Sequence, residues 1–393
     1  MDRFRSVCSL ESGPVSDRTD APLGAASRLA GFDGLRAVAV LAVGAYHFFL
    51  TVAVFPNVTT WEIGQQFRVG VWVFFVLSGF LLYRPHAYAH LGIRRAPYLA
   101  SYAWSRFLRI WPAYAVAVFV LSFVWHKIPM DGARSFLVHV TLLQNYRYSE
   151  FFRGLGPAWS LVVEVAFYVF LPVFAAFVAW LAARIGAWRA EVASLGAVAL
   201  FGYAWQLLTV GHDQWAAGLP SFLPTFAIGM ALAVLVAHGR GSFLAPLARH
   251  GAWCWIGALA IVVVKGATFG ADTFSGGFEF ANQLGYSAIA FLLVVPAVYG
   301  RGDAFPNTAL RSRPVHALGV ISYGVFLWST PVIDQVQFHW IPNTGFHARS
   351  GLVALVAFAV TVAIATASWF CVERPALSLK RLVRRPAPAR SSG

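Results

Sequence analysis

A single histidine lies deep within the first long apolar stretch of the sequence. His47 follows Arg36 by eleven residues, so a helix would separate the two by about 16 Å along its axis. Imidazole changes protonation near neutral pH, and a histidine beside a water-accessible path could take a proton from a hydroxyl group. A buried histidine could equally be a structural group that hydrogen-bonds a neighbouring helix. His47 alone does not separate these two interpretations.

Two further sets of charged residues could take part in chemistry. Glu164 lies about two turns into another apolar stretch, where a carboxylate could orient an imidazole, bind a hydroxyl or hydrogen-bond a neighbouring helix. Arg106 and Arg109 lie at the start of a third stretch, with Arg94 and Arg95 before them. Guanidinium groups suit phosphate, but basic loops also arise from membrane topology and from contact with lipid headgroups.

The elements that must position these residues are membrane-spanning helices. Hydrophobic residues make up 59% of the 393 residues, and charged residues only 12%, with a mean hydropathy of +0.65. A soluble protein has about a quarter of its residues charged. Ten stretches are apolar enough to span a bilayer or nearly so. The sequence therefore predicts an all-α, polytopic membrane helix bundle of about ten transmembrane helices. The ten stretches are 37–54, 69–83, 110–125, 159–183, 192–210, 222–237, 252–264, 284–299, 315–333 and 351–372.

The distribution of charge predicts the orientation of the bundle. The net charge of +14 lacks the water-soluble basic face of a nucleic-acid-binding protein. If both termini are cytoplasmic, 23 of the 30 Lys and Arg residues lie on the cytoplasmic side. The positive-inside rule therefore favours ten spans with both ends in the cytoplasm. The three cysteines have no metal-ligand spacing, so we expect no metal site.

The chain is predicted to form one membrane domain between two tails. Residues 1–31 are expected to form a mobile cytoplasmic tail, residues 32–373 the membrane domain, and residues 374–393 a basic cytoplasmic tail. The predicted outer loop 127–157 contains an apolar run, 136–143, which is too short to span and is typical of a re-entrant or interfacial helix.

Five motifs occur in order along this domain. They are FDGLRAVAV at 32–40 leading to His47, GVWVFFVLSGF at 70–80, SRFLRIWPAY at 105–114, WSLVVE at 159–164, and ISYGVFLW at 321–328 followed by Pro331. Together they resemble the motifs of the acyltransferase-3 family of bacterial membrane acyltransferases, and the resemblance covers nearly all of the predicted membrane domain.

The resemblance implies both an activity and a location. The expected reaction transfers an acyl group from acyl-CoA to a hydroxyl of a sugar, in an envelope glycan, a glycolipid or a glycosylated natural product. Acyl-CoA would be a co-substrate on the cytoplasmic side, and no tightly bound cofactor is expected. The expected location is the bacterial cytoplasmic (inner) membrane, with membrane lipids around the protein.

The resemblance also implies roles for individual residues. His47 matches the catalytic base, and Arg36 matches a residue that positions the donor. Arg106 and Arg109 match a donor-binding pair, and Glu164 matches the motif carboxylate and is taken as catalytic. The neighbouring motif residues Trp159, Ser160 and Tyr323 are predicted to contact substrate. The sequence departs from many members at two positions, having Ser329 where they have histidine and Val165 where they have a second glutamate.

Two other classes of protein would share the predicted topology. A secondary transporter, or a lipid or glycan flippase, would also have about ten spans and an ionisable residue near the midplane of the membrane. Such transporters usually have paired broken helices in two related halves, and the sequence shows no such symmetry. A non-catalytic membrane scaffold is the second alternative, in which His47 would be structural.

Overall fold

The fold consists of helices throughout the described part of the chain. A computed structural model describes residues 25–52, 58–128, 130–151, 154–269, 277–341 and 350–383. No strand occurs within these ranges, which confirms the all-α class. The α-helices are α1 Ala25–Val52, α2 Val58–Gln65, α3 Gly70–His90, α4 Leu99–Phe119, α5 Ala133–Val140, α6 Tyr148–Phe151, α7 Ala158–Ile185, α8 Ala187–Leu208, α9 Asp213–Ala216, α10 Leu219–Ala237, α11 Ala245–Arg249, α12 Gly251–Phe269, α13 Gly277–Tyr299, α14 Asn307–Leu310, α15 Arg313–Val320, α16 Ser322–Gln335, α17 Ser350–Ser368 and α18 Arg374–Ser378.

The ten predicted spans coincide with helices that are long and apolar enough to cross a membrane. Within the described ranges, nine are single helical segments, and the tenth is the pair α15 and α16, which is bent by 75°. Helices are expected because backbone polar groups in lipid must bond within their own segment. The prediction of about ten spans is confirmed. The stretch predicted over 315–333 corresponds to the bent pair, in which the helix breaks at Ile321.

Helix α3 lies at the centre of the bundle and packs against α1, α7, α10 and α13. It approaches α10 closely through two glycines. A Cβ atom at Gly79 would overlap the carbonyl oxygen of Phe226, and one at Gly229 would overlap that of Val76. Small residues of this kind let two helix backbones meet in a membrane. The glycines therefore fix the position of α3, which carries part of the site described below.

The loop between α4 and α7 contains the short helix α5, which covers part of the predicted apolar run 136–143. Its buried side is polar. Ser135 Oγ donates a hydrogen bond of 2.9 Å to Glu150 Oε2, and His139 Nε2 lies 3.3 Å from the same oxygen. The hydroxyl of Tyr114 on α4 bonds the carbonyl of His139 at 3.0 Å. These contacts attach the loop to the end of α4.

The ends of the bundle extend beyond the predicted domain boundaries. Helix α1 begins at Ala25, and the last span continues through α18 to Leu382. Residues 1–24 of the predicted N-terminal tail and residues 384–393 of the predicted C-terminal tail lie outside the described residues.

Candidate active site

A cavity of about 130 Å³ lies between α1, α3, α4, α7 and α16. Its wall on α3 extends from Val71 to Leu82, which is about 16 Å of helix. Most of the wall is apolar. The polar part consists of residues that the sequence singled out, and the five helices bring them together here. Six of the predicted site residues line the cavity: Arg36, Arg106, Arg109, Ser160, Glu164 and Tyr323.

Glu164 lies at the centre of a hydrogen-bonding group. Its Oε1 accepts a bond of 3.0 Å from the Ser78 hydroxyl on α3 and one of 2.6 Å from the Tyr168 hydroxyl on its own helix. Tyr168 follows Glu164 by four residues, so both side chains leave the same face of α7. Both neighbours donate to the same oxygen, so these two hydrogen bonds fix the orientation of the Glu164 side chain at the cavity wall.

The three arginines reach the cavity from two helices. Arg106 and Arg109 are separated by one turn of α4, and the Arg106 guanidinium lies 5.8 Å from the centre of the Tyr168 ring. One terminal nitrogen of Arg109 is buried without a hydrogen-bond partner among the described residues. Arg36 on α1 lies 3.7 Å from Asp33. The cavity therefore combines three guanidinium groups with one lining carboxylate.

The hydroxyl groups of Tyr323 and Ser160 both donate hydrogen bonds to backbone carbonyl groups. Tyr323 donates a bond of 2.8 Å to the carbonyl of Ile110, which joins the start of α16 to α4. Ser160 donates to the carbonyl of Pro157 at 3.0 Å, in the first turn of α7. Both can still accept a hydrogen bond from a ligand through their oxygen atoms. The structure therefore places both at the cavity wall, as substrate contact would require.

Two predicted residues do not line the cavity. The Trp159 ring packs 5.5 Å from the ring of Phe222 instead. His47 lies further along α1, with its ring edge-on to that of Tyr46 at 4.9 Å. Gly70, next to the cavity residue Val71, packs against Ala39 and Val43 of α1.

This packing fixes the position of His47 relative to the cavity. The Val71 end of the cavity is level with Val43, and His47 lies one turn beyond Val43, about 6 Å further along the helix axis. Glu164 bonds Ser78 and Tyr168 rather than the imidazole. The structure therefore separates the two predicted catalytic residues and places His47 past one end of the cavity.

Sequence reasoning missed two polar residues of the cavity, Tyr168 and Ser322. The spacing of four residues from Glu164 could have identified Tyr168. Ser322 precedes the predicted Tyr323, and only the break of the helix at Ile321 brings both to the cavity wall. No group of three or more His, Cys, Asp and Glu side chains in the described ranges has the arrangement of a metal site.

The arrangement can bind a negatively charged or strongly polarised group. Three guanidinium groups attract such a group, and Ser78, Ser160 and the tyrosines supply neutral hydrogen-bonding atoms. The volume suits a small acyl group and the atoms beside it, but it is too small for a nucleotide. Taken together, the fold and the cavity define a polytopic membrane protein with a charged cavity between five of its helices.

The chain belongs to the acyltransferase domain family, whose members match it over residues 29–370. This confirms the family that the five motifs indicated.

Several relatives of known name share most of the chain. Nodulation protein 10 of Rhizobium leguminosarum bv. viciae is 25% identical over 358 residues, which are 82% of this chain and 85% of that protein. The peptidoglycan O-acetyltransferase of Listeria monocytogenes serovar 1/2a is 26% identical over 365 residues, which are 87% of this chain and 55% of that protein. A protein of Staphylococcus aureus strain COL, provisionally named an O-acetyltransferase, is 26% identical over 374 residues and 88% of this chain.

The chain spans little more than half the length of the last two relatives. No solved structure matches it. The family and the ten apolar helices identify a multi-pass membrane protein of a family that includes O-acetyltransferases.

Proposed function

We propose that the protein transfers an acyl group from acyl-CoA to a hydroxyl of a sugar in an envelope glycan, a glycolipid or a glycosylated natural product. The observation that carries this proposal is the convergence of Arg36, Arg106, Arg109 and Glu164 on one cavity. The named relatives support an oxygen acceptor, because two of them are named O-acetyltransferases.

The donor reaches the cavity from the cytoplasmic side in this proposal. The loop before α4 carries Arg94 and Arg95, both exposed, and is one of the predicted cytoplasmic loops. The nucleotide of acyl-CoA remains near this loop, because the cavity is too small to admit it. The pantetheine arm carries the thioester into the cavity, where Arg106 and Arg109 attract the polarised acyl end of the donor.

The acceptor hydroxyl meets the thioester near His47. The imidazole removes the hydroxyl proton as the oxygen attacks the thioester carbonyl, and the carbon–sulfur bond breaks to release CoA. The proton on His47 then passes to the departing thiolate, which regenerates the neutral imidazole. Glu164 holds the Ser78 and Tyr168 hydroxyls beside the arginines and limits the positive charge of the cavity.

A covalent route uses the same residues. The neutral imidazole of His47 attacks the thioester carbonyl, the carbon–sulfur bond breaks, and CoA leaves as the thiol with the proton of the other ring nitrogen. The acceptor hydroxyl then attacks the acyl-imidazole, takes the acyl group and returns its proton to the ring. Incubation of the purified protein with radiolabelled acetyl-CoA and no acceptor separates the two routes. Label that remains on the protein and is lost in His47→Ala indicates the covalent route, and its absence favours direct transfer.

The proposed location is the bacterial cytoplasmic membrane, with both termini in the cytoplasm. The charge distribution supports this orientation. Reporter domains fused after Leu208 and after Ala237 would be expected on opposite sides of the membrane, the first outside and the second inside. Reporters found on the reverse sides would overturn the orientation and the proposed side of donor binding.

The central test compares acylated products in cells. Mass spectrometry of envelope glycolipids and secreted glycosides is performed on a deletion strain complemented with the wild type, with His47→Ala or with Arg106→Gln/Arg109→Gln. We expect one acyl mass increment to disappear on deletion and to return with the wild type only. Full restoration by His47→Ala would overturn the role of the histidine, and a deletion that changes no acylated product would overturn the proposed activity.

The same strains test the donor. Inverted membrane vesicles from the complemented strain are supplied with radiolabelled acetyl-CoA outside the vesicle, which is the cytoplasmic face. Transfer of label to lipid or glycan that depends on wild-type Arg106 and Arg109 is expected. If no label is transferred from acetyl-CoA while mass spectrometry still detects new acylation in vesicles freed of CoA thioesters, another acyl donor is used.

A further inference from the structure

A second polar cluster lies at the other end of the bundle, where α1, α4 and α12 end. This end, here called the outer end, is predicted from the charge distribution to face out of the cell. Lys265 lies near the end of α12 and is only 6% exposed, and Arg68 lies in the turn that joins α2 to α3. A charged side chain buried in a membrane protein is costly and usually functional.

Both cations contact the same tyrosine. Tyr286 on α13 is fully buried, and its hydroxyl accepts a hydrogen bond of 2.7 Å from Arg68 Nε. The ring centre lies 5.2 Å from the Arg68 guanidinium carbon and 4.5 Å from Lys265 Nζ. Arg68 and Lys265 therefore lie close enough to repel each other. The fold holds two like charges around one aromatic ring.

The partners of the two cations are neutral. Lys265 Nζ donates to the side-chain carbonyl of Asn282, and the Tyr286 hydroxyl donates to Gln66 Oε1 at 2.7 Å. No carboxylate among the side chains that the structure describes forms an ion pair with either cation, and one terminal nitrogen of Arg68 is buried without a hydrogen-bond partner. Among these described side chains, the cluster therefore has two positive charges, an unused donor and no ion-paired carboxylate.

The surrounding fold makes room for the lysine. A Cβ atom at Gly285 would lie 2.6 Å from Lys265 Cδ and 3.1 Å from its Cε. These contacts are too close for a real side chain, so the lysine occupies space that only glycine leaves open. The buried position of Lys265 is therefore built into the packing of α12 against α13 rather than adopted by a free surface side chain.

The cluster lies beside the histidine of the proposed reaction. The ring of Phe67, next to Arg68, stacks on the ring of Phe49 in α1 at 5.9 Å, and α1 also packs against α13, which carries Tyr286. Phe49 follows His47 by two residues in α1. A group bound between Arg68 and Lys265 would therefore lie near His47, on the outer side of it.

We propose that Arg68 and Lys265 form a binding site for an anionic group, a carboxylate or phosphate, of the molecule that receives the acyl group. This deepens the proposed function, on which it rests, by assigning the acceptor to the class of negatively charged glycans and glycolipids. The anion supplies the charge that the cluster lacks and accepts a hydrogen bond from the unused nitrogen of Arg68. Its sugar hydroxyl then approaches His47.

The first test measures anion binding without any transfer reaction. The purified full-length protein is placed in discs of phosphatidylcholine, and its apparent melting temperature is measured at constant ionic strength. The added solutes are inorganic pyrophosphate, glucuronate and, as an uncharged control, galactose. We expect each anion to raise the melting temperature by about 2 °C at ten times its dissociation constant, and galactose to leave it unchanged.

Three variants and a control locate the effect. Arg68→Gln and Lys265→Met each remove one charge, and Gly285→Ala displaces Lys265 without changing charge. Arg134→Gln removes an exposed positive charge of the α5 loop and serves as the matched control. The anion-induced shift is expected to disappear in the first three and to persist in the control. A full shift in Arg68→Gln/Lys265→Met, or none in the wild type, overturns the site.

The phosphate of a lipid headgroup is also an anion and could bind the same site. A second experiment distinguishes lipid binding from acceptor binding. The measurement is repeated in discs that contain phosphatidylglycerol. If phosphatidylglycerol alone gives the full shift and abolishes the effect of pyrophosphate and glucuronate, the site binds bulk lipid and the assignment to the acceptor is overturned. If the soluble anions still act, the assignment is supported.

Acyl transfer in cells completes the test. Complementation with Arg68→Gln/Lys265→Met is expected to lower the acylated product at least tenfold, while Arg134→Gln restores it. Wild-type product levels with the double variant would overturn the acceptor assignment. Failure of the proposed function is distinguishable, because deletion would then change no acylated product while anion binding, measured in purified protein, remained.

Discussion

The inner cavity and the outer cluster hold positive charge in different ways. The cavity has three arginines, and Glu164 faces them from α7 together with two hydroxyl groups that donate to it. The outer cluster has Arg68 and Lys265 around Tyr286, with amide partners and no carboxylate among the described residues.

The difference shows which buried charges are compensated by other groups of the protein and which are not. A buried charge with a carboxylate nearby and hydrogen-bonding neighbours is compensated before any ligand arrives. A pair of like charges with neutral partners is compensated only when an anion binds. The cavity therefore has one carboxylate among its three guanidinium groups before any ligand arrives, whereas the described partners of the two cations in the outer cluster stay neutral until an anion binds.

The largest expected effect comes from a residue that belongs to neither region. His47→Ala is expected to reduce acyl transfer by about 10²–10⁴-fold, because a general base contributes an effect of that size. It leaves both charged regions intact, so the melting-temperature shift with pyrophosphate should equal that of the wild type. Transfer is measured in inverted vesicles and the shift in purified protein. Loss of the shift would mean that the histidine shapes the outer cluster instead of acting as a base.

The comparison itself is tested by removing one charge from each region. Glu164→Gln leaves the arginines without the lining carboxylate and is expected to lower the free energy of unfolding by about 2–3 kcal/mol. Lys265→Met removes a charge that has no counterion, so stability should change by less than about 1 kcal/mol or increase.

Denaturation in detergent measures both variants of this pair in the absence of added anion. Equal destabilisation by the two substitutions would contradict the distinction between a self-compensated cavity and a ligand-dependent cluster. Arg134→Gln, in the exposed loop, provides the baseline for loss of a surface charge.

A packing change tests how far the cavity depends on the position of α3. Gly79→Ala forces α3 away from α10, because the added carbon would overlap the carbonyl of Phe226. We expect destabilisation of about 1–3 kcal/mol and reduced transfer, since Ser78 moves relative to Glu164. Gly44→Ala is the control, because nothing lies within 4 Å of a Cβ there. Identical melting curves for the two variants would argue against the close contact.

The smallest expected effect concerns the polar loop at the outer end. Burial lowers the pKa of His139 below its ordinary value of 6.5, and Glu150 partly opposes this shift. The folded protein therefore favours the neutral ring more than the unfolded chain does. The stability from this group is present above pH 6.5 and is lost as the pH falls towards the lowered pKa.

The corresponding variant should respond less to acid. His139→Gln is expected to flatten the change in unfolding free energy between pH 7 and pH 5 by less than about 1 kcal/mol. The exposed His212→Gln should keep the wild-type profile. If the unfolding free energy of His139→Gln falls more steeply on acidification than that of the wild type, the pKa of His139 is not lowered by folding.

Much of the fold could be predicted because each span carries its own signal. The length and hydropathy of each apolar stretch can be read without knowledge of the other stretches, so the sequence predicts ten spans. Charged or ionisable residues within or beside these stretches identify His47, Glu164, Arg106 and Arg109 as candidates. The break at Ile321 could not be predicted, because both halves of the bent span are apolar and together resemble one helix.

Contacts between distant helices could not be predicted in the same way. Arg68 and Tyr286 are 218 residues apart, and only the packing of α12 and α13 against the turn before α3 brings them together. The sequence assigned Arg68 and Lys265 to the outer side of the membrane, and it gave no reason to pair them. The separation of His47 from Glu164 also depends on packing, which determines the register between α1 and α3.

The bend at Ile321 has an electrostatic consequence for the cavity. In a straight helix the dipoles of successive peptides cancel at every internal position, so the middle of a span carries no net charge. Here α15 and α16 meet at 75°, and the first residues of α16, Ser322 and Tyr323, line the cavity. The positive end of the α16 dipole is therefore added to the field of the arginines. Substitution of all three arginines would leave this backbone contribution in place, opposed by the carboxylate of Glu164 and by the C-terminal end of α15.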